Sequence, residues 1–429
     1  MTQRNRITRM RRGWLLAALA VGGVATAGLA RAEETTTPWW ERPTLRIATE
    51  DGQTSLRFRL SAQFRWEGLN KDPGPGKDGE WSDAVFFRRI RPVLEGSVLT
   101  QDLTWRLHVN LVPGQLELDD LWVSYAAHPE FRLLFGQNKI PFTRYRMDSF
   151  TDLPLVDWSY ETKYFGAERQ IGLTLHNGMD RPPEFEYEFG IYTGVNARAS
   201  NGTALPRVFA ETPPNPSSLT DPALPSSFHP ELAAHFAWNY GGINVRNPSD
   251  LEGGPFRFSI GLSATWDARP TERQDMALRV APEFMIKVAG FHLLGVFYVA
   301  CWDEVTGDNP INLGLLGGVV QASYTFLERF EVAVRYANVS ILQALRDDAR
   351  TYADRRIAAE PDPDAQAALV EQYKNVGRLT AEHEATLGFT VYLLGTTLKL
   401  QIDGGLQLHE RTDANRYDAL VRSQLQLAF

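Results

Sequence analysis

The chain has 429 residues, a formal net charge of −8 and 43% hydrophobic residues. That hydrophobic share excludes an intrinsically disordered chain. The acidic balance disfavours nucleic-acid binding, which normally needs a basic surface.

Residues 1–32 read as a secretory signal. Arg4, Arg6, Arg9, Arg11 and Arg12 form a basic start, Trp14 to Leu29 is apolar and small, and Ala30-Arg31-Ala32 fits a cleavage site. Removing this segment takes away six arginines and no acid, so the mature chain is more acidic still. Residues 33–54, with TTTPWWERP, show no period and read as a periplasmic N-terminal segment. Beyond residue 32 no apolar run is long enough for a membrane helix, but transmembrane strands hide every second residue from that test.

From Ser55 the period becomes two. Leu56, Phe58, Leu60, Ala62, Phe64 and Trp66 alternate with Arg57, Arg59, Ser61, Gln63 and Arg65. That is a ribbon with one apolar and one basic face, longer than ordinary soluble strands. Sixteen such segments are expected near 55–67, 85–99, 103–112, 118–127, 131–138, 169–178, 184–194, 231–240, 256–267, 276–289, 291–303, 311–325, 329–342, 378–394, 396–409 and 416–429. Links after even-numbered strands are mostly short. Those after odd-numbered strands are mostly long: 68–84, 139–168, 195–230 and 343–377. This asymmetry predicts an all-β, transmembrane antiparallel β-barrel of about 16 strands spanning 55–429.

Three links depart from plain loops. The 195–230 stretch carries seven prolines and excludes helix or strand interiors. The 343–377 stretch has two helical compositions, QALRDDARTYADRR and AQAALVEQYK, separated by Pro361 and Pro363. The link 241–255 is longer than the short-turn rule predicts. At the end of the chain, Val421, Leu425, Leu427 and Phe429 share an apolar face that a closed barrel would pair with its first strand. Trp66, Phe86, Trp105, Tyr125, Tyr192, Trp238, Tyr240, Trp266, Trp302, Tyr324, Phe326 and Tyr392 fall near strand ends, where interfacial girdles place aromatics. Cys301, the sole cysteine, sits in the apolar run GVFYVACW and reads as a packing residue.

Three runs carry a family likeness: FRRIRPVLEGSVLTQDLTWRLHVNL (87–111), LDDLWVSYAAHPEFRLLFGQNKIPF (118–142) and AERQIGLTLHNG (167–178). With their Gly-Gln-x-Lys-x-Pro-Phe and Arg-x-Ile-Gly elements they resemble the phosphate-selective porin O/P family. The resemblance implies a sixteen-stranded homotrimeric porin of the outer membrane, with the loop after strand five folded into the lumen. The strand count independently puts the long link 139–168 in that place.

Selectivity in a porin comes from charge facing the lumen. Arg57, Arg59 and Arg65 share one face; Arg89 and Arg91 share another with Glu95, while Arg88 falls on the opposite side; Arg106 opposes apolar neighbours. Together they predict a basic wall, and arginine suits oxyanions because its planar fork gives two hydrogen bonds. The loop region adds Lys139, Arg144, Arg146, Lys163 and Arg169, with Asp148, Asp152, Asp157, Glu161 and Glu168. These either set a transverse field across an eyelet or pair with one another and hold the loop. Trp158, Tyr160, Tyr164 and Phe165 either stack on sugars or pack the loop on the wall. The expectation is a passive channel for small anions, phosphate or polyphosphate among them, in contact with outer-membrane lipid and with no cofactor. The alternative is a channel for sugars or other small solutes. No hydrolase or phosphate-loop motif suggests an enzyme.

Overall fold

The computed structural model describes residues 42, 44–112, 115–167, 169–178, 182–193, 230–268, 276–302 and 312–429. The signal segment, residues 33–41 and 43, Glu168 and all but the last residue of the 195–230 stretch lie outside the described residues.

The strands are β1 (Leu45–Ala48), β2 (Ser55–Lys71), β3 (Glu80–Val98), β4 (Thr100–Val112), β5 (Gln115–His128), β6 (Phe131–Lys139), β7 (Arg169–His176), β8 (Phe185–Tyr192), β9 (Glu231–Tyr240), β10 (Arg257–Asp267), β11 (Met276–Val288), β12 (Phe291–Trp302), β13 (Asn312–Phe326), β14 (Phe330–Ile341), β15 (Leu379–Thr396), β16 (Leu398–Arg411) and β17 (Arg416–Ala428). From β2 onwards each strand pairs antiparallel with the next, and β17 returns to β2. The result is a closed sixteen-stranded barrel, as the period-two count predicts. At the seam Leu60 donates its amide to the Phe429 carbonyl (2.8 Å), and Phe429 donates back to Leu60 (3.0 Å). Closure satisfies every edge, which lipid requires because it offers no hydrogen bonds.

Two boundaries differ from expectation. β1, in the segment without a period, pairs with the foot of β2. The link 68–84 is really only 72–79, because β2 and β3 stay paired as far as Lys71↔Glu80. There the side chains turn polar, so the hydrophobic alternation fades while the backbone ladder continues.

The two faces are inverted relative to a soluble sheet. Along β9, Glu231, Ala233, His235, Ala237 and Asn239 are buried, whereas Phe236, Trp238 and Tyr240 are exposed. The apolar face is the one turned to lipid. Most of the expected girdle aromatics fit this, but Tyr192, Trp302 and Tyr392 do not. All three are buried inside, with the Tyr192 and Thr174 hydroxyls paired, Trp302 donating to Asp348 and Tyr392 to Glu331. Proximity to a strand end does not fix which face a ring takes; the strand's parity does.

Among the described residues, four helices interrupt the links: α1 (Arg144–Met147), α2 (Thr162–Phe165), α3 (Gln343–Ala359) and α4 (Pro363–Tyr373). The last two are the pieces expected within 343–377. Asp362 caps α4 by accepting from the amides of Asp364 and Ala365, and Pro363 supplies the ready-made first turn. α3 folds back onto the rim, burying Leu345 and Ala349.

Leu387, 60% exposed at the middle of β15, tests the assignment of faces. Leu387→Arg is expected to destabilise the barrel by about 2–4 kcal/mol in denaturant titrations in lipid vesicles. A change well under 1 kcal/mol would mean that this face does not meet hydrocarbon.

Candidate pore site

β6 is only nine residues long, and at Lys139 the chain leaves the wall to return at Arg169, its cross-strand partner. The residues between, 140–167, turn inward. Ile140, Phe142, Tyr145, Leu153, Leu155, Val156, Tyr164 and Phe165 are all buried there. What receives them is an apolar patch on the inner wall, including Ala281, Val296, Tyr298, Ala300, Val319, Ala337 and Val339 from β11–β14. Phe165 stacks on Tyr298 with centroids 4.7 Å apart and planes at 8°. Gly317 makes room for it, since a Cβ there would lie 2.4 Å from the Phe165 ring; Gly388 does the same for Leu155.

Polar ties fix the remainder. Lys399 and Gln401 donate to the Leu153 carbonyl, Thr390 to Pro154, Gln426 to Thr151, and the Val156 amide donates to Asp403. Arg335 donates to the Asp157 carbonyl and Tyr160 to Glu382. The aromatic cluster therefore packs the loop; Tyr164 and Phe165 are too buried to stack on a solute.

Asp157 is the strongest polar tie. It meets Arg65 at 3.0 Å, Arg89 at 3.1 Å and Arg88 at 3.5 Å. Burial alone would push its carboxyl up, but Arg89, Arg65, Arg88 and Arg422 together hold it well below the usual carboxylate range. Arg88 reaches it because a bulge between Gln63 and Phe64 in the β2–β3 pairing turns that arginine inward, against the strict alternation expected from sequence.

Seated on one side, the loop leaves a cavity of about 520 Å³ against β2–β8. Of the expected site residues, Arg57, Arg59, Arg91, Arg106, Lys139, Asp148, Asp152 and Arg169 line it. Arg57, Arg59 and Arg106 converge on the single Glu95, at 3.4, 2.9 and 2.8 Å. Arg91 meets Asp119 and Arg169 meets Asp120. Lys139 donates to the carbonyls of Arg146, Met147 and Asp148 and so braces the loop's descent.

Arg65, Arg89, Arg144, Arg146 and Lys163 do not border this cavity. Arg65 and Arg89 hold Asp157; Arg144 donates to Glu186 at 2.8 Å; Arg146 stacks on Trp158 and Lys163 on Tyr160.

The cavity also holds two arginines that the sequence reading passed over. Arg42 comes from the aperiodic N-terminal stretch and pairs with Asp152. Arg246 comes from the over-long link 241–256, which turns inward and buries Ile243, Val245 and Leu251. Lys287 ties that link by donating to the carbonyls of Asn244 and Asn247, each at 2.7 Å, and Arg246 donates to Glu186 and Glu188. The anomalous length of this link was the available signal. Counting all the cavity lining, eight side chains are basic (Arg42, Arg57, Arg59, Arg91, Arg106, Lys139, Arg169 and Arg246) and five are acidic (Asp120, Asp148, Asp152, Glu188 and Glu252).

The family model for phosphate-selective porin O and P matches residues 58–341, well over half of the chain. The chain belongs to that family.

Solved porins share the fold of this porin. The outer-membrane channel DcaP of Acinetobacter baumannii aligns over 89% of this chain and 99% of its own, at 10% identity and a TM-score of 0.55. An anion-selective porin from Comamonas acidovorans covers 88% of this chain and 100% of its own, at 12% identity and a TM-score of 0.51. OmpF of Salmonella typhi, solved with daunomycin, covers 90% and 100%, at 13% identity and a TM-score of 0.52. No curated protein matches the chain in sequence. The family and the barrel make this porin an outer-membrane channel rather than an enzyme.

Asp157 supplies a test of how the loop is held. Asp157→Ala strands three arginines around an empty site and is expected to destabilise the porin by about 3 kcal/mol in urea. Proteolysis inside 140–167 should quicken at the same time. Unchanged stability with an intact loop would show that the apolar seat suffices alone.

Proposed function

We propose that this porin admits small anions passively across the outer membrane, with inorganic phosphate among them. The observation that carries the reading is the charge count of the cavity, eight basic side chains to five acidic ones. It lies between the inturned loop, which we take to be the constriction, and the wall of β2–β8. Arginine predominates over lysine in the lining, which favours oxyanions through paired hydrogen bonds.

Arg57, Arg59 and Arg106 matter most in this reading. They converge on Glu95 at the end of the barrel where the chain's N-terminal stretch also lies. The channel's sixteen strands and family resemblance also support a homotrimer. The sugar-channel alternative gains nothing from the loop aromatics, since they pack against the wall. The N-terminal signal reading fits delivery to the outer membrane.

Reversal potentials in planar bilayers under a KCl gradient test the charge sign. The wild-type porin should favour chloride over potassium. The triple variant Arg57→Gln, Arg59→Gln, Arg106→Gln should lose most of that preference while still conducting. Cation preference in the wild type would reject the reading, and absence of conductance would reject the open channel.

A further inference from the structure

Where the inturned loop meets β3, rings and cations alternate. The Arg91 guanidinium stands 4.6 Å from the centre of the Phe150 ring, and Arg89 stands 5.0 Å from the same ring. Arg89 is also 5.4 Å from the Trp158 ring, whose centre lies 4.5 Å from Arg146. The arrangement recurs on the wall itself, where Arg106 stands 5.0 Å over Trp122. Phe150, Arg91, Trp122 and Arg106 all line the cavity.

The Phe150 ring is a fixed part of that lining. It is 7% exposed. Its neighbour Thr151 is tied through its carbonyl to Gln426 and Arg42, and its hydroxyl meets that of Ser149. Trp158 is fixed as well, by donating Nε1 to the Tyr145 carbonyl.

A ring braces a guanidinium differently from a carboxylate. Asp119 holds Arg91, and Glu95 holds Arg106, by opposing its charge. An aromatic face attracts a cation through its quadrupole, leaves the net charge intact and occupies none of the N–H donors in the guanidinium plane. Arg91 has a partner of each kind, Asp119 and Phe150, so the two together set where its charge rests. The Asp119 side chain is wholly buried behind the wall. An Arg91 released from the ring would settle further towards that carboxylate, and its charge would be felt less in the cavity.

We propose that Phe150 is a positioning residue of the pore: its ring face holds Arg91 in the cavity lining without cancelling its charge, and so sustains the preference for anions. The inturned loop thereby acts on permeation through an uncharged side chain as well as by narrowing the lumen. The proposal rests on the anion-channel reading above.

The experiment uses the full porin in planar bilayers, with mono-, di- and trifluorinated phenylalanine placed at position 150. Fluorine draws electron density from the ring face and leaves the size of the ring nearly unchanged. The chloride-to-potassium permeability ratio, read from reversal potentials under a KCl gradient, should fall with each added fluorine. Across the series the fall should reach about two- to fivefold, the equilibrium weight of one such contact. Phe150→Leu keeps an apolar side chain but has no quadrupole, and it should match the low end of the series. Phe150→Tyr keeps the ring face and should stay near the unmodified porin. A ratio that is the same in every fluorinated form, or a Phe150→Leu porin with the unmodified ratio, overturns the proposal. If Phe150→Leu fails to assemble, the fluorinated series decides alone, because those rings fill the same space. Chloride preference that is indifferent to fluorination sinks this inference only; absence of chloride preference in the unmodified porin sinks the channel reading on which it stands.

Discussion

The stacking of Phe165 on Tyr298 marks the contact on which the rest of the interior depends. A barrel lumen is ordinarily polar, and a loop hung inside it would have little to bury. Here β11–β14 carry small and apolar residues on the inner face as well as the outer one. That gives 140–167 a dry seat, and seating the loop on one side decides that the open volume lies on the other. The basic side chains of β2–β7 become a wall only because the loop stands opposite them.

Charge is used in two distinct ways around that seat. Arg65, Arg88 and Arg89 surround Asp157, and the four groups hold the loop against the wall they belong to. Breaking up such a buried set is costly, whichever member is removed. Arg57, Arg59 and Arg106, lower in the barrel, crowd a single Glu95 and stay partly exposed. The first group has the character of a clamp and the second that of a lining. Of the two roles expected for the loop charges, pairing is what Asp152 and Asp157 display.

Much of the architecture was legible because lipid imposes a strict alternation on each strand. The sixteen strands, the helical pieces of 343–377 and the place of the long link after the fifth barrel strand follow from that period and from loop lengths; the link's inward course is what the family resemblance implied. The inward faces of Arg65, Arg89 and Arg91 follow too. What escaped obeyed other rules. Arg88 points inward through a bulge, which no period reveals. Arg42 lies where there is no period at all. Arg246 belongs to a link whose length was noticed but whose direction depends on Lys287, distant in sequence. Tyr192, Trp302 and Tyr392 mimic girdle residues by position while parity turns them inward. The apolar seat did leave a trace in the two-sided runs GVFYVACW and GLLGGVV, which read equally well as lipid-facing strands.

The seam between Leu60 and Phe429 also governs how the molecule comes into being. The first barrel strand finds one of its neighbours only when the last strand arrives, nearly the whole chain later. Until then two raw edges and a belt of apolar side chains are open to any passing strand. Pairing across so great a sequence distance is slow. Before the seam forms, a chain of this design therefore carries open edges that other copies of it could join. Its circle is completed only at the membrane that will hold it.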